Sequence, residues 1–228
     1  MSQAKILVTL NKMVEYFAGN SSEIWAAISE HILLLVLVPV GLAVLVAVPL
    51  GILATRYSLL ERTVMGLGNV IQTIPSLALL ALFIPLGLGI GNKPAIVALF
   101  LYSLLPIMRN TYTGIKGVSP ELKEAAAGMG MTPMQQLFKV ELPLAVPVIM
   151  AGVRTATVIA IGTATLSAMV GGGGLGRYIV RGLQLMRDYL ILVGAIPAAV
   201  MALLADYGLS NLERWATPEG LRLYNEQR

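Results

Sequence analysis

The stretch HILLLVLVPVGLAVLVAVPLGILATR, residues 31–56, has no charged side chain between its first and last residues. A helix needs about 20 apolar residues to cross the roughly 30 Å hydrocarbon core of a bilayer. Only helices and closed barrels pair all of their backbone groups inside lipid, and this run lacks the apolar–polar alternation of a barrel strand. The stretch therefore predicts a transmembrane helix, which we place at residues 32–54.

Further apolar runs predict additional spans at residues 64–86, 95–109, 144–170 and 189–207. The chain of 228 residues is 57% hydrophobic and 12% charged, whereas soluble domains are about 25% charged. The third run is short and would rise only about 22 Å as a helix, so we expect its ends to snorkel or to lie in a thinned region of the bilayer. We predict an all-α, polytopic membrane protein with about five transmembrane helices and a single domain over residues 1–228.

The segment that precedes the first span is amphipathic. Residues 5–17 place Ile6, Leu10, Met13 and Phe17 on one helical face. This pattern is typical of a helix in the membrane interface, although a loosely ordered terminus is an equal alternative. We therefore interpret residues 1–30 as an extracytoplasmic or interfacial segment. Glu30 and His31 lie at the entry to the first span, and we expect them to have no special chemistry.

Several kinds of chemistry are excluded by composition. The chain has no cysteine and one histidine, so thiol nucleophiles and clustered histidine ligands are ruled out. It contains no G-x-x-x-x-G-K-[ST] phosphate loop. We therefore predict no catalytic residue and no metal site, and we do not expect an enzyme. An ion-coupled transporter or channel remains an alternative, but the span centres lack the acidic residues that such proteins use.

A polar segment at residues 116–143 interrupts the apolar runs and includes KEAAAGMGMTPMQQLFKVELP, residues 123–143. Ser119 and Thr132 each precede a proline, which is a helix start with a capping residue. Glycines after residue 127 favour a helix end. The segment therefore predicts two helices, 120–127 and 133–141, joined by a glycine turn.

This pair of helices has three interpretations. It is an ordinary amphipathic loop between spans, a docking surface for a soluble partner, or a DNA-binding helix-turn-helix. The last is disfavoured because membrane spans tether both ends. Consecutive alanines at 125–127 leave a nearly bare face that lets another backbone approach closely, and Glu124 adds one charge beside it. These features favour docking.

The spacing of this segment resembles the EAA loop of ABC-importer permeases. The matching residues are Glu124, Ala125, Ala126, Gly130, Val140, Leu142 and Pro143. In that family the loop docks in a groove on a cytoplasmic ATPase. The resemblance implies that Glu124, Ala125, Ala126, Gly130, Leu142 and Pro143 couple this chain to such a subunit.

The resemblance extends over residues 24–210. The stretches at 30–56, 104–115 and 151–183 are similar to the osmoprotectant permeases, which import glycine betaine, carnitine or choline. Methionine-importer permeases have a similar length and are the alternative. The family implies a type I, methionine-importer-like fold, ATPase subunits that bind ATP–Mg, an extracytoplasmic solute-binding protein, and a second permease copy or homologue. It implies no cofactor on this chain and no nucleic-acid partner.

Orientation is predicted from the balance of lysine and arginine. Five spans with residues 116–143 in the cytoplasm place nine of these residues inside and six outside. We therefore expect the N-terminus outside and a cytoplasmic tail at 208–228. The family resemblance implies that the membrane is the bacterial cytoplasmic (inner) membrane.

The translocation path has three groups of candidate residues. A flexible break at Gly171, Gly172, Gly173 and Gly174 predicts either an external gate or a plain turn. Gln72 beside Pro75 brings polarity and a helix break into the second span, which fits path lining or a simple kink. Arg154 is a charge inside the fourth span and needs a partner; helix packing and gating are its alternatives.

Overall fold

The computed structural model describes residues 3–217, and no strand occurs within that range. The helices there are α1 Gln3–Gly19, α2 Ser21–Ala54, α3 Ser58–Thr73, α4 Ser76–Leu82, α5 Asn92–Lys116, α6 Pro120–Gly128, α7 Pro133–Val170, α8 Gly176–Gln184 and α9 Asp188–Ala216. Turns of π-helix lie inside α2 and α7, and a third follows α4.

Four helices, α2, α5, α7 and α9, are long and apolar enough to cross a membrane. Helix α3 and the segment Ser76–Leu88, which contains α4 and the π turn that follows it, pass the same test only as a pair, bent by 101°. Counting that pair as one span gives five. The predicted all-α, polytopic architecture is therefore confirmed.

The middle of the bundle is built around α5, which packs closely against α2 and α7. A Cβ atom added to Gly51 of α2 would lie 2.7 Å from Thr111 Cβ, and one on Gly152 of α7 would lie 2.6 Å from Asn110 Cβ. Small residues allow the helices to approach this closely. Close van der Waals packing favours helix association in lipid, where the hydrophobic effect gives no driving force between helices. The three helices therefore form a tightly packed unit.

The first span begins earlier than predicted. The helix starts at Ser21 rather than residue 32, and His31 is fully buried within it. Polar side chains at 30 and 31 suggested a boundary, but both have partners inside the protein. Residues 21–30 therefore share one helix with the span, whereas residues 3–19 form the separate helix α1.

The second predicted span, 64–86, is interrupted at Pro75, where the sequence predicted a helix break, and its two parts are bent by 101°. Ile74 has extended backbone angles (φ −72°, ψ 126°), as expected for a residue before proline. Its carbonyl accepts a hydrogen bond from the Tyr102 hydroxyl. The side-chain amide of Gln72 donates to the Tyr102 carbonyl at 3.4 Å. The break at Pro75 is thus held by α5.

The third span is longer than predicted. Helix α5 covers Asn92–Lys116 rather than 95–109, so no thinned bilayer is needed. Its polar residues near the C-terminal end bond within the helix: Thr111 donates to the Ile107 carbonyl and Asn110 to the Pro106 carbonyl. The ends predicted from hydropathy, residues 95 and 109, therefore lie inside the helix.

The fourth span and the second helix of the polar segment are one helix, α7, and the prediction of a helix end before Pro143 is wrong. A π turn at Leu137–Glu141 precedes this proline, and such turns absorb a local change in backbone bonding. The fifth span also extends beyond prediction, from Asp188 to Ala216. Most of the predicted tail, 218–228, lies outside the described residues.

Candidate functional site

The polar segment at 116–143 lies where α5 ends and α7 begins. We call it the coupling loop, after the role that its resemblance to the EAA loop implies. Thr132 caps α7 as predicted: its hydroxyl accepts from the Gln135 N–H at 3.3 Å, and the Gln135 side chain accepts from the Thr132 N–H at 2.9 Å. Ser119 precedes α6 without a side-chain cap bond. Gly130 supplies the predicted left-handed turn (φ 80°). The turn fixes α6 against the start of α7.

The residues that carry the EAA resemblance divide into two groups. Glu124, Ala125 and Gly130 are exposed. Ala126 is 1% exposed, and Leu142 packs on a buried cluster that includes Ile115, Leu137, Ala145 and Ile149. Pro143 is half-buried. One set of side chains therefore fixes α6 to the bundle, and the other is presented to the surroundings.

A second site lies at the opposite end of the bundle, around residues 171–176, hereafter the glycine loop. The carboxylate of Glu30 accepts from the Gly174 N–H at 2.8 Å and from the Asn92 side-chain amide at 2.9 Å. The Asn92 carbonyl oxygen in turn accepts from the Gly173 N–H at 2.7 Å. Arg177 adds an ion pair to Glu30 at 3.5 Å. Three distant segments thus meet at this loop.

His31 extends the same network into the bundle. Its Nδ1 accepts from the Leu175 N–H at 3.4 Å, and its Nε2 lies 3.1 Å from the Ile161 carbonyl oxygen. A ring that accepts on one nitrogen and donates on the other is the neutral tautomer. The histidine therefore joins α2, α7 and the glycine loop.

The glycines are required by close contacts and by backbone angles. A Cβ atom on Gly173 would lie 2.0 Å from Glu30 Oε1. Gly171 and Gly174 have positive φ, 80° and 75°, which glycine adopts without steric cost. The expected break after the fourth span is present, but hydrogen bonds hold it in a defined shape.

The remaining path candidates lie apart from this loop. Gln72 is exposed beside the break between α3 and α4. Arg154 has the partners that its intramembrane position required: its Nε lies 3.7 Å from Asp206 and 3.8 Å from Glu213, both on α9. These contacts join α7 to α9. The candidates at 72, 154 and 171–174 therefore do not form one cluster.

Sequence reasoning missed several residues that organise these two sites. Glu30 and His31 were noted but given no chemistry, and Asn92, Arg56 and Glu141 were not singled out. The available signal was the cost of placing Glu30 and His31 next to an apolar run, which implies internal partners.

Replacing Arg154 with glutamine is expected to lower the thermal unfolding midpoint of the purified protein. The substitution leaves Glu213 Oε2, which is buried and already lacks a hydrogen-bond partner, without its cation. The expected loss is that of the counter-ion of a partly buried carboxylate, on the order of 1–3 kcal/mol. Arg214→Gln, an exposed position on the same α9, is the control. An unchanged midpoint together with reduced transport would instead support gating.

Bent and straight apolar helices, with a polar helical loop at one end and a hydrogen-bonded glycine loop at the other, place the chain in the class of multi-span membrane proteins. The family model of binding-protein-dependent transport system inner membrane components matches residues 47–217. The chain belongs to this family.

Curated relatives match over nearly the whole chain. The choline transport system permease protein OpuBB of Bacillus subtilis is 52% identical over 95% of this chain and 99% of its own. The glycine betaine/carnitine/choline permease protein OpuCB of the same organism is 51% identical over 93% and 97%. The osmoprotectant import permease protein OsmW of Salmonella typhimurium is 42% identical over 92% and 99%.

Solved structures show the same fold. A chain of the MetNI methionine ABC transporter in an inward-facing conformation aligns with a TM-score of 0.73 and 25% identity, covering 86% of this chain and 94% of that one. A second crystal form gives a TM-score of 0.71 at 24% identity. The predicted methionine-importer-like fold is therefore confirmed.

Proposed function

We propose that this chain is the membrane permease of an ATP-driven importer for quaternary ammonium osmoprotectants such as choline, glycine betaine and carnitine. The observation that carries the proposal is about half identity, along nearly the entire chain, to permeases named for these solutes. The likeness to the methionine transporter is only 25% identical and keeps methionine as the second candidate.

The chain's partners in this proposal are two ATPase subunits, an extracytoplasmic solute-binding protein and a second permease copy or homologue. ATP–Mg binds and is hydrolysed on the ATPase, and this chain is a transport subunit rather than an enzyme. Family membership supports the presence of such partners. The permease alternates access between the two sides of the bacterial inner membrane, with its N-terminus outside and C-terminus in the cytoplasm.

The coupling loop is the contact with the ATPase in this proposal. The exposed side chains of Glu124 and Ala125 offer one negative charge beside a small surface that another backbone can approach. Buried Ala126 and half-buried Leu142 and Pro143 hold α6 in place, and Gly130 gives the turn. A force applied to α6 is then delivered to the ends of α5 and α7.

The glycine loop is the proposed external gate. Its backbone N–H groups bond to side chains from α2 and α5, so it is shaped by helices that must move when access alternates. Gln72, exposed beside the break between α3 and α4, is proposed to line the path. The contacts of Arg154 with α9 favour helix packing for that residue.

The test of the substrate is uptake of radiolabelled glycine betaine by proteoliposomes that contain the complete transporter and ATP. We expect ATP-dependent uptake that excess choline or carnitine reduces and excess methionine leaves unchanged. Liposomes without ATP are the control. Absence of glycine betaine uptake, together with ATP-driven uptake of labelled methionine, would contradict the osmoprotectant assignment while keeping the permease assignment. Uptake that needs an ion gradient but no ATP would contradict both.

A further inference from the structure

The coupling loop contains a buried carboxylate. Glu141 lies on the π turn of α7, and its side chain is only 2% exposed. Taking a carboxylate out of water costs several kcal/mol unless it is paired and hydrogen-bonded. A residue of this kind in a helical loop needs partners that hold it there.

The partners come from two other parts of the chain. Arg56, in the turn between α2 and α3, donates from its guanidinium to Glu141 Oε2 at 2.5 Å. Lys123, on α6, places Nζ 3.9 Å from Glu141 Oε1 and donates to the Ile115 carbonyl at 3.1 Å. Each carboxylate oxygen thus faces a cation from a different segment. We call Arg56, Lys123 and Glu141 the ionic junction.

The junction stands directly behind the proposed docking surface. Lys123 precedes Glu124 in the chain; its side chain is 28% exposed, whereas that of Glu141 is almost completely buried. Glu124 points outward on the same short helix. A displacement of α6 therefore moves Lys123 relative to Glu141, and Glu141 in turn is bonded to the turn that joins α2 and α3.

We propose that Glu141 is a positioning residue that transmits movement of α6 to the α2–α3 turn and to α7 during transport. This inference rests on the proposed function, because it assigns the route by which docking at α6 reaches the spans. A buried ion pair is weak grounds for a stabilising role, since its desolvation offsets its attraction. The ionic junction instead links the α2–α3 turn, α6 and α7, which have to move together during transport.

The experiment uses the complete transporter in proteoliposomes and measures solute moved per ATP hydrolysed, normalised to assembled complex. Glu141→Gln removes the charge and keeps the shape of the side chain. We expect the ratio to fall about tenfold, within the range by which residues along a coupling route change coupling. Glu15→Gln, at an exposed position on α1 at the other end of the bundle, is the matched control and should keep the wild-type ratio.

A double-mutant cycle separates transmission through the junction from general destabilisation. Arg56→Gln should also lower the ratio, and the variant that carries both changes should lose no more than Glu141→Gln alone. Independent, additive losses would overturn the proposal. If Glu141→Gln does not assemble, Arg56→Gln serves alone, because the Arg56 side chain is 43% exposed; a wild-type ratio in that variant would overturn the proposal.

The proposed function is tested separately in the same preparation. If the wild-type complex shows no ATP-driven uptake, the proposed function fails and the junction loses its basis. If the wild-type complex couples and Glu124→Lys uncouples it, while Glu141→Gln keeps the wild-type ratio, the proposed function stands and the junction proposal is wrong.

Discussion

Replacing Glu124 with lysine is expected to abolish ATP-driven uptake while leaving the permease inserted in the membrane. The side chain is exposed on α6, so the substitution disturbs no buried contact of this chain. Reversing a charge at an interface juxtaposes like charges or leaves a partner unpaired, which should reduce uptake by at least about thirtyfold. The effect should therefore appear in transport rather than in the amount of permease.

The measurement is uptake into proteoliposomes together with co-purification of the ATPase subunit. Glu15→Lys makes the same charge reversal at an exposed position on α1 and should transport normally. Wild-type uptake by Glu124→Lys would exclude this residue from the contact with the ATPase. Loss of the permease from the membrane would instead assign Glu124 to folding.

The substitution Gly173→Val is expected to reduce uptake below about a tenth of the wild-type rate, because overpacking of a filled site forces its neighbours to move. The added Cβ would lie 2.0–2.2 Å from the Glu30 carboxylate atoms. Glu30 would have to leave its hydrogen bonds with the Gly174 N–H and the Asn92 amide. The loop would then lose its carboxylate link to α2, and the Asn92 amide of α5 would lose its acceptor.

The matched control is Gly208→Val, since a Cβ at Gly208 meets nothing within 4 Å. Uptake is measured per assembled complex, so that a loss of assembly is seen separately. Full uptake by Gly173→Val would indicate that residues 171–176 are a plain turn between spans. Glu30→Ala removes the same hydrogen bonds without a clash, so it should reproduce the defect, and adding it to Gly173→Val should cause no further loss.

The number and location of the apolar helices were predictable from hydropathy, because a run such as residues 32–54 has to be buried in lipid. The ends of the helices were not. Glu141 immediately precedes an apolar run, so hydropathy places a helix boundary there. Its charge is nevertheless paired with Arg56 and Lys123 inside the protein. Placing a helix end at a polar residue assumes that its side chain is exposed to water, whereas that of Glu141 is 2% exposed.

The proposed coupling contact was accessible from sequence because its residues lie within one short segment, with the cap at Thr132 and the turn at Gly130 encoded locally. The network around the glycine loop was not accessible. Glu30 and Gly174 are 144 residues apart. A local sequence pattern does not show which carboxylate accepts a hydrogen bond from which backbone N–H. The four glycines indicated an unusual backbone conformation, but they did not indicate which side chains bond to the backbone N–H groups.

The break between α3 and α4 affects how the chain enters the bilayer during synthesis. The Ile74 carbonyl at the break is paired with the hydroxyl of Tyr102, which belongs to α5. An unpaired carbonyl costs several kcal/mol in hydrocarbon, and α5 leaves the ribosome after α3 and α4. The bent pair therefore becomes stable in lipid only once α5 is present, and we expect all three helices to leave the translocon as a single unit.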